Sequence, residues 1–293
     1  MRFPFTGVIP VDKPSGCSSR QVVDAVARAL AMKAVGHAGT LDPLACGVVV
    51  VCVGHATKLV DFLHELPKHY AATFLLGRSS PSDDLETPVV EEADPVRPDR
   101  AAVDAAAAGF RGEILQRPCD YSAVHVDGKR AYRLARKGRE IELPAKRVRI
   151  DRLEIVSYDW PALAVEVVCS SGTFIRAIGR DLAAALGTTV VMESLVRTAI
   201  GSFGVESAVP LAKVERETAA GLLLPAGAAV THLERITLDG DPLARAIRGG
   251  LLDLPVDAGA AVAAFGADGE LVGILRRHAS GGHRLRPNFL GLG

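Results

Sequence analysis

Asp42 stands between a glycine-rich turn and a proline, in the run Gly36 to Pro43, GHAGTLDP. Proline restricts the backbone of the residue before it, so this carboxylate is held stiffly and can face a cleft, where it can act as a nucleophile or a base. Asp before Pro is also a common turn former, and the pair alone does not separate catalysis from a tight bend. Tyr70 offers an aromatic face and a hydroxyl whose ordinary pKa of about 10 makes it a reluctant base. Arg176 begins a helical pattern in which Ile175, Ile178 and Leu182 face a core. Beside a carboxylate a bidentate guanidinium would keep the acid ionised and lower its pKa by roughly 1–3 units, although a lone arginine on a helix is more often a solvated one. His37, flanked by glycine, and His55 belong to no ligand-spaced cluster of the HExxH kind, and His55 reads as structural.

These residues need elements to hold them. A short apolar strand at 7–11 is followed by Ser18 and Gln21 in a capping-box pattern, opening an amphipathic helix through Leu30 with Val22, Val23, Val26 and Leu30 on one face. The run VVVVCVG after the Asp42 loop reads as a fully buried strand. Further strands are expected at 70–77, 111–116, 146–157, 163–169 and 188–198, and helices at 100–109, 129–138 and 174–186. The order lacks regular helical crossovers, so the expected fold is α+β with a mixed, largely antiparallel sheet. The segment from Pro81 to Asp104, rich in Pro, Asp and Glu, is expected to be an exposed connection. Beyond Phe203 short helices rich in Ala and Leu give way near Arg235 to a glycine-rich stretch of short strands. The expected division is a catalytic domain at 1–205, a helical connection at 206–234 and a small β domain at 235–293.

Composition sets the outer limits. The 293 residues are 48% hydrophobic and 23% charged, an ordinary globular balance that argues against disorder. Lys plus Arg and Asp plus Glu number 34 each, so any attraction for nucleic acid must be local. Cys17, Cys46, Cys52, Cys119 and Cys169 are scattered and odd in number, which fits reduced thiols better than disulfides or zinc. The N-terminal residues carry no secretory pattern and no run of 18 apolar residues occurs, so a cytoplasmic location without membrane contact is expected.

The stretch from Gly36 to Lys58, preceded by VDKPSGCSS at 11–19, resembles the signature of the tRNA uridine 55 pseudouridine synthases of the TruB type. The resemblance continues through KHY at 68–70, LGRSSPSDD at 76–84, PCDYSAVHVDGKRAYRLARKG at 118–138, SSGTFIRAIGRDL at 170–182 and LVRTAIGSF at 195–203, in the family's order. It implies that Asp42 is the nucleophile, that Arg176 pairs with it and that Tyr70 is the active-site tyrosine. His37 then either fills the space left by an extruded base or touches phosphate, Leu195 contacts the substrate, and Phe174 lines the pocket. It implies no metal or redox cofactor, and the T stem-loop of tRNA as the partner. Whether Asp42 attacks the sugar or the pyrimidine ring stays open. A target base must leave its stack, which suits an aromatic such as Tyr70.

The chain departs from the family in places. Phe174 stands where a tyrosine is usual, Cys119 replaces a proline, His125 replaces a lysine, and serines replace threonines in LGRSSPSDD while Asp84 keeps the acidic position. RNA contact is expected from 127–152, which holds ten Lys or Arg against four acids, and from Arg276, Arg277, His278, His283, Arg284 and Arg286 in a terminal segment resembling a PUA-like RNA-binding module. A nucleosidase or glycoside hydrolase would be expected to show two carboxylates rather than one Asp with an Arg. A non-catalytic RNA-binding protein on the same scaffold would be free to lose Asp42, Tyr70 or Arg176. No strong apolar interface stripe is evident, and a monomer is expected.

Overall fold

The valine run after Gly47 folds as a strand buried on both faces, and the remaining strands are laid out around it. The computed structural model describes residues 3–122, 124–126, 128–138, 141–254 and 261–289. In chain order β1 (Gly7–Lys13) and α1 (Ser19–Ala29) lead to β2 (Val35–His37) and β3 (Cys46–Val53), then α2 (Val60–Glu65) and β4 (Lys68–Leu76). Short β5 (Arg78–Ser79) and β6 (Val90–Glu91) precede α3 (Arg100–Ala108) and β7 (Gly112–Gln116). A hairpin of β8 (His125–Val126) and β9 (Lys129–Arg130) runs into α4 (Ala131–Ala135). Next come β10 (Lys146–Asp159), β11 (Ala162–Cys169), α5 (Ile175–Ala185), β12 (Val190–Ile200), β13 (Phe203–Gly204) and β14 (Val209–Pro210). The last part holds β15 (Glu234–Thr237), α6 (Gly240–Ile247), β16 (Val262–Phe265), β17 (Leu271–Arg277) and β18 (His283–Asn288).

Among the described residues ten strands form one sheet, in the order β14, β1, β3, β12, β4, β11, β10, β7, with β2 added on β3 and β13 on β12. Only β1 with β14 and β3 with β12 pair in parallel, which makes this the expected α+β fold with a mixed, largely antiparallel sheet. A separate four-stranded sheet of β15 to β18 follows. The neighbours β3, β12 and β4 matter most, because they bring the loop before β3, the centre of β12 and the start of β4 side by side.

Local sequence accounts for the helices that flank this sheet. Ser18 and Gln21 complete the capping box of α1 in both directions, and Val22, Val23 and Val26 enter the core. Helix α5 buries Ile175, Ile178 and Leu182, and its Gly179 lets the Phe74 ring lie against the helix, since a Cβ there would come within 2.3 Å of that ring. The smaller sheet is packed on the larger body through Ala263, Phe265, Leu271 and Ile274, which share a core with Val8, Val50, Phe62 and Ala229. No helix among the described residues is long and apolar enough to cross a membrane.

Two expectations need correction. The helix expected at 129–138 is a short α4 behind a hairpin, stabilised by its own small cluster of Ala131, Ile141 and Leu143. The acidic segment from Pro81 is solvated only after its first residues, for Ser82 and Asp84 are buried. A buried cation requires them there, as the site makes clear.

Candidate active site

Asp42 is presented by a loop that is pinned on several sides. The Ser19 hydroxyl, at the start of α1, accepts from the Leu41 N–H at 2.8 Å and donates to the Leu41 carbonyl at 3.2 Å. The Lys13 ammonium, wholly buried at the end of β1, donates to the carbonyls of Pro14, Cys17 and Pro43. Arg197 of β12 donates to the carbonyls of Gly39 and Thr40 from beneath. Residues on both sides of Asp42 are thus held while its own side chain remains 33% exposed.

Arg176 enters from the first turn of α5 and is only 3% exposed. Its Nη2 lies 2.8 Å from Asp42 Oδ2 and donates to the Tyr121 carbonyl at 2.9 Å, while Nη1 lies 3.2 Å from Asp84 Oδ2 and donates to the Ser82 carbonyl at 2.7 Å. The expected bidentate pair with Asp42 is therefore corrected: one guanidinium is divided between two carboxylates. The expected lowering of the Asp42 pKa is corrected too. Loss of solvent pushes the Asp42 carboxyl above its ordinary range, Arg176 pulls it back, and Asp84 adds to the upward push. Asp84 is fixed in turn by the Ser82 hydroxyl and the Glu86 N–H.

Beyond Asp42 opens a cleft of about 360 Å³ walled by Tyr70, Leu195, Phe174, Lys146 and the 171–173 turn. Leu195 and Arg197 are two apart on β12, so both face the side on which Tyr70 projects from the neighbouring β4. Burial raises the Tyr70 phenol above its ordinary value despite the nearby Arg197, so it stays neutral at physiological pH. Phe174 is fixed by its backbone, whose N–H and carbonyl are both bound by the buried Gln116 amide. This side-chain clasp holds the N-terminal end of α5, and with it Arg176.

His37 lies on the other side of the loop, in β2, where it lines a second cavity of about 580 Å³ together with Arg20, Tyr121, Arg130, Tyr132 and Arg136. Asp42 lines both spaces, whereas Tyr70, Leu195 and Phe174 line only the first and His37 only the second. Burial holds the His37 ring below its ordinary pKa.

The ten-cation stretch divides in the structure. Arg130 and Arg136 face the second cavity and Lys146 the first, but Arg147, Arg149 and Arg152 are matched by Glu113, Asp151 and Glu166. Arg136 is ion-paired with Glu86 and lies over the Tyr132 ring. Arg139 and the side chain of Lys129 lie outside the described residues. In the smaller sheet Arg276 and Arg277 line a further cavity, whereas His283 points into the core and does not join them. Alternation along β18 explains this, for His283 and Leu285 share the buried face.

Sequence reasoning missed Ser19, Gln116 and Arg197 as parts of the site and noted Asp84 only as an acidic position. A usable signal existed for Arg197: it shares strand parity with Leu195 on an apolar strand, and a charge on such a face must find partners.

Residues 27–175, just over half of the chain, match the sequence model described as TruB family pseudouridylate synthase, N terminal domain. The chain is 47% identical over 206 residues to the tRNA pseudouridine synthase B of Mycobacterium avium (strain 104), covering 69% of this chain and 67% of that protein. It is 38% identical over 278 residues to the protein of that name from Mycobacterium bovis (strain BCG / Pasteur 1173P2), covering 94% and 93%. The Streptomyces griseus protein of the same name is 40% identical over 272 residues, covering 90% of each. Among solved structures, a chain of an H/ACA RNP bound to a substrate RNA containing 2′-deoxyuridine superposes with a TM-score of 0.70 at 22% identity, covering 98% of this chain and 81% of that one. A chain of a Cbf5-Nop10-Gar1 complex gives 0.71 at 23% identity with the same coverage. These two likenesses show the fold.

Proposed function

The chain belongs to the TruB family of pseudouridylate synthases, and from that premise we propose that it isomerises uridine 55 in the T loop of tRNA, with Asp42 as the nucleophile acting on a flipped-out base. It is a tRNA pseudouridine synthase, an isomerase. The observation that carries the finer reading is the composition of the cleft: among the described residues Asp42 is the one carboxylate that lines it, set between the Arg176 cation and the Tyr70 ring. A hydrolase working by two opposed carboxyl groups would need a second one, and none lines the cleft among the described residues.

The reaction breaks the bond between N1 and C1′, turns the uracil within the site, and joins C5 to C1′, with C5 losing a proton and N1 gaining one. Asp42 attacks either C1′, displacing the base with its electron pair, or the pyrimidine ring, and the geometry accommodates both. Arg176 favours the carboxylate form that attack requires. Tyr70 stacks on the extruded base, and its hydroxyl relays the C5 proton, accepting it as its own proton passes to the Asp42 carboxylate released when C5 joins C1′. Leu195 and Phe174 close the apolar walls that keep the detached uracil from escaping.

RNA approaches through the second cavity, where Arg20, Arg130 and Arg136 meet phosphates and His37 occupies the gap left by the flipped base. In this reading residues 1–205 form the catalytic domain, 206–234 connect, and the PUA-like sheet at 235–293 adds RNA contact through Arg276 and Arg277. The protein acts as a cytoplasmic monomer on the T stem-loop.

The test is incubation of an unmodified tRNA transcript with wild-type and Asp42→Asn protein, mapping pseudouridine by position and assaying free uracil. Pseudouridine at position 55 with wild type alone is expected. Tight binding without modification by either protein would replace this reading with an RNA-binding one, and free uracil would replace it with a hydrolase.

A further inference from the structure

Arg197 is a buried cation, 1% exposed, and among the described residues no carboxylate pairs with it. Toward the loop its hydrogen bonds go to main-chain carbonyls, Nε to Val48 at 2.7 Å, Nη1 to Thr40 at 3.3 Å and Nη2 to Gly39 at 3.2 Å, and on its other side it meets the Tyr70 hydroxyl. Burying a cation without a counterion is costly, and an apolar side chain would fill the same volume without that cost. The three carbonyls reveal what the charge is used for. Gly39 and Thr40 lie just before Asp42 and Val48 lies just after the turn into β3, so one planar guanidinium ties the neck of the loop that carries the carboxylate.

The sheet delivers Arg197 to this place by two local irregularities. Strands β3 and β12 meet only at Cys46 with Val196 and Gly47 with Arg197. A Cβ on Gly47, whose φ is +102°, would come within 2.3 Å of the Arg197 carbonyl, so the close approach needs glycine there. The β12–β4 register then shifts between Arg197 and Ala199, and a bulge of this kind re-aims the side chains beside it. On its other flank β12 sets Arg197 directly opposite Tyr70.

We propose that Arg197 is a positioning residue for the isomerisation: by tying the loop neck and flanking Tyr70, it sets the separation at which Asp42 and Tyr70 meet the extruded nucleotide. The proposal rests on the pseudouridine synthase reading of the cleft. Arg197 acts through these two residues and not on the reacting atoms, so its loss should slow the bond-making steps and leave RNA affinity alone. A displacement of about 1 Å at a reacting group lowers a rate by roughly 100-fold, which sets the expected scale.

The experiment compares wild-type, Arg197→Met and Arg197→Lys full-length proteins in three measurements: single-turnover conversion of a tRNA transcript, Kd for the same transcript, and amide hydrogen exchange across residues 38–48. For Arg197→Met the expected results are a rate about 100-fold lower, a Kd within about twofold, and loop exchange faster by about tenfold. The lysine variant, able to reach some of the carbonyls, should recover part of both rate and protection. A wild-type rate, unchanged loop protection, or affinity falling in step with rate overturns the proposal. Should the methionine variant fail to fold, the lysine variant decides by the same criteria. If wild-type protein converts no uridine, the functional reading fails separately, and the exchange measurement still decides whether Arg197 holds the loop.

Discussion

Asp42 and Asp84 share one guanidinium, with Arg176 Nη2 2.8 Å from the first carboxylate and Nη1 3.2 Å from the second. Asp42 opens to the cleft and Asp84 is buried behind it, so the pair couples the reactive group to a fixed charge that meets no solvent. That coupling makes Asp84 a handle on the titration of Asp42.

Replacing Asp84 with Asn is expected to move the acid limb of the pH–rate profile to lower pH. The reactive form of Asp42 is the carboxylate, and its raised pKa means that this form is lost, as pH falls, at a higher pH than for an ordinary carboxylate. Asp84 contributes to that rise, so removing its charge shifts the limb toward acid. At neutral pH the rate should fall about tenfold as Arg176 loses one anchor. Single-turnover rates across pH measure both effects, and an unmoved limb would show that another group titrates.

Tyr70→Phe keeps the ring face and removes a hydroxyl held neutral by burial. Affinity for tRNA should stay within about twofold while the single-turnover rate drops by roughly 10²–10⁴, the usual range for a lost proton-transfer group. Tyr70→Ala should lose both. Full speed in the phenylalanine variant would assign the proton transfer to a different group.

Ser19→Ala removes the two hydrogen bonds that hold Leu41 and leaves a buried N–H without a partner. Urea unfolding should show a loss of about 1–3 kcal/mol, and the single-turnover rate should fall more than affinity does. Equal losses in rate and affinity would place the effect on RNA binding.

His55 has both ring nitrogens buried without partners, with Phe3 against its edge at 4.8 Å and Phe289 stacked at 6.0 Å. Burial lowers its pKa, so the unfolded chain takes up the proton more readily than the folded one. The associated stability is present above the unfolded pKa of about 6.5 and is lost as pH falls through it toward the folded value. His55→Phe should therefore flatten the decline in Tm between about pH 7.5 and pH 5. An unchanged decline would assign the acid sensitivity to other groups.

Local features were legible in the chain because their causes are local. The capping box at Ser18 and Gln21, the buried valine strand, the carboxylate held before Pro43 and the alternation of β11 all depend on neighbours a few residues away. The family motifs pointed to Asp42, Tyr70, Arg176, Leu195 and Phe174, and the sheet brings these around one cleft. The order β3, β12, β4 was not legible, since strand pairing across a long separation leaves no pattern in either strand.

The sequence by itself determined most of the element types, the α+β class, and which carboxylate, phenol and guanidinium were available for chemistry. Tertiary structure alone decided their electrostatics and their support: Asp84 claims half of Arg176, burial outweighs that cation at Asp42, His37 faces a different cavity from Tyr70, and the basic stretch is partly neutralised by Glu113 and Glu166. The physical reason is distance along the chain. Arg197 bonds to Thr40 from 157 positions away and Arg176 to Ser82 from 94, and such contacts arise only when the sheet closes and withdraws these charges from water.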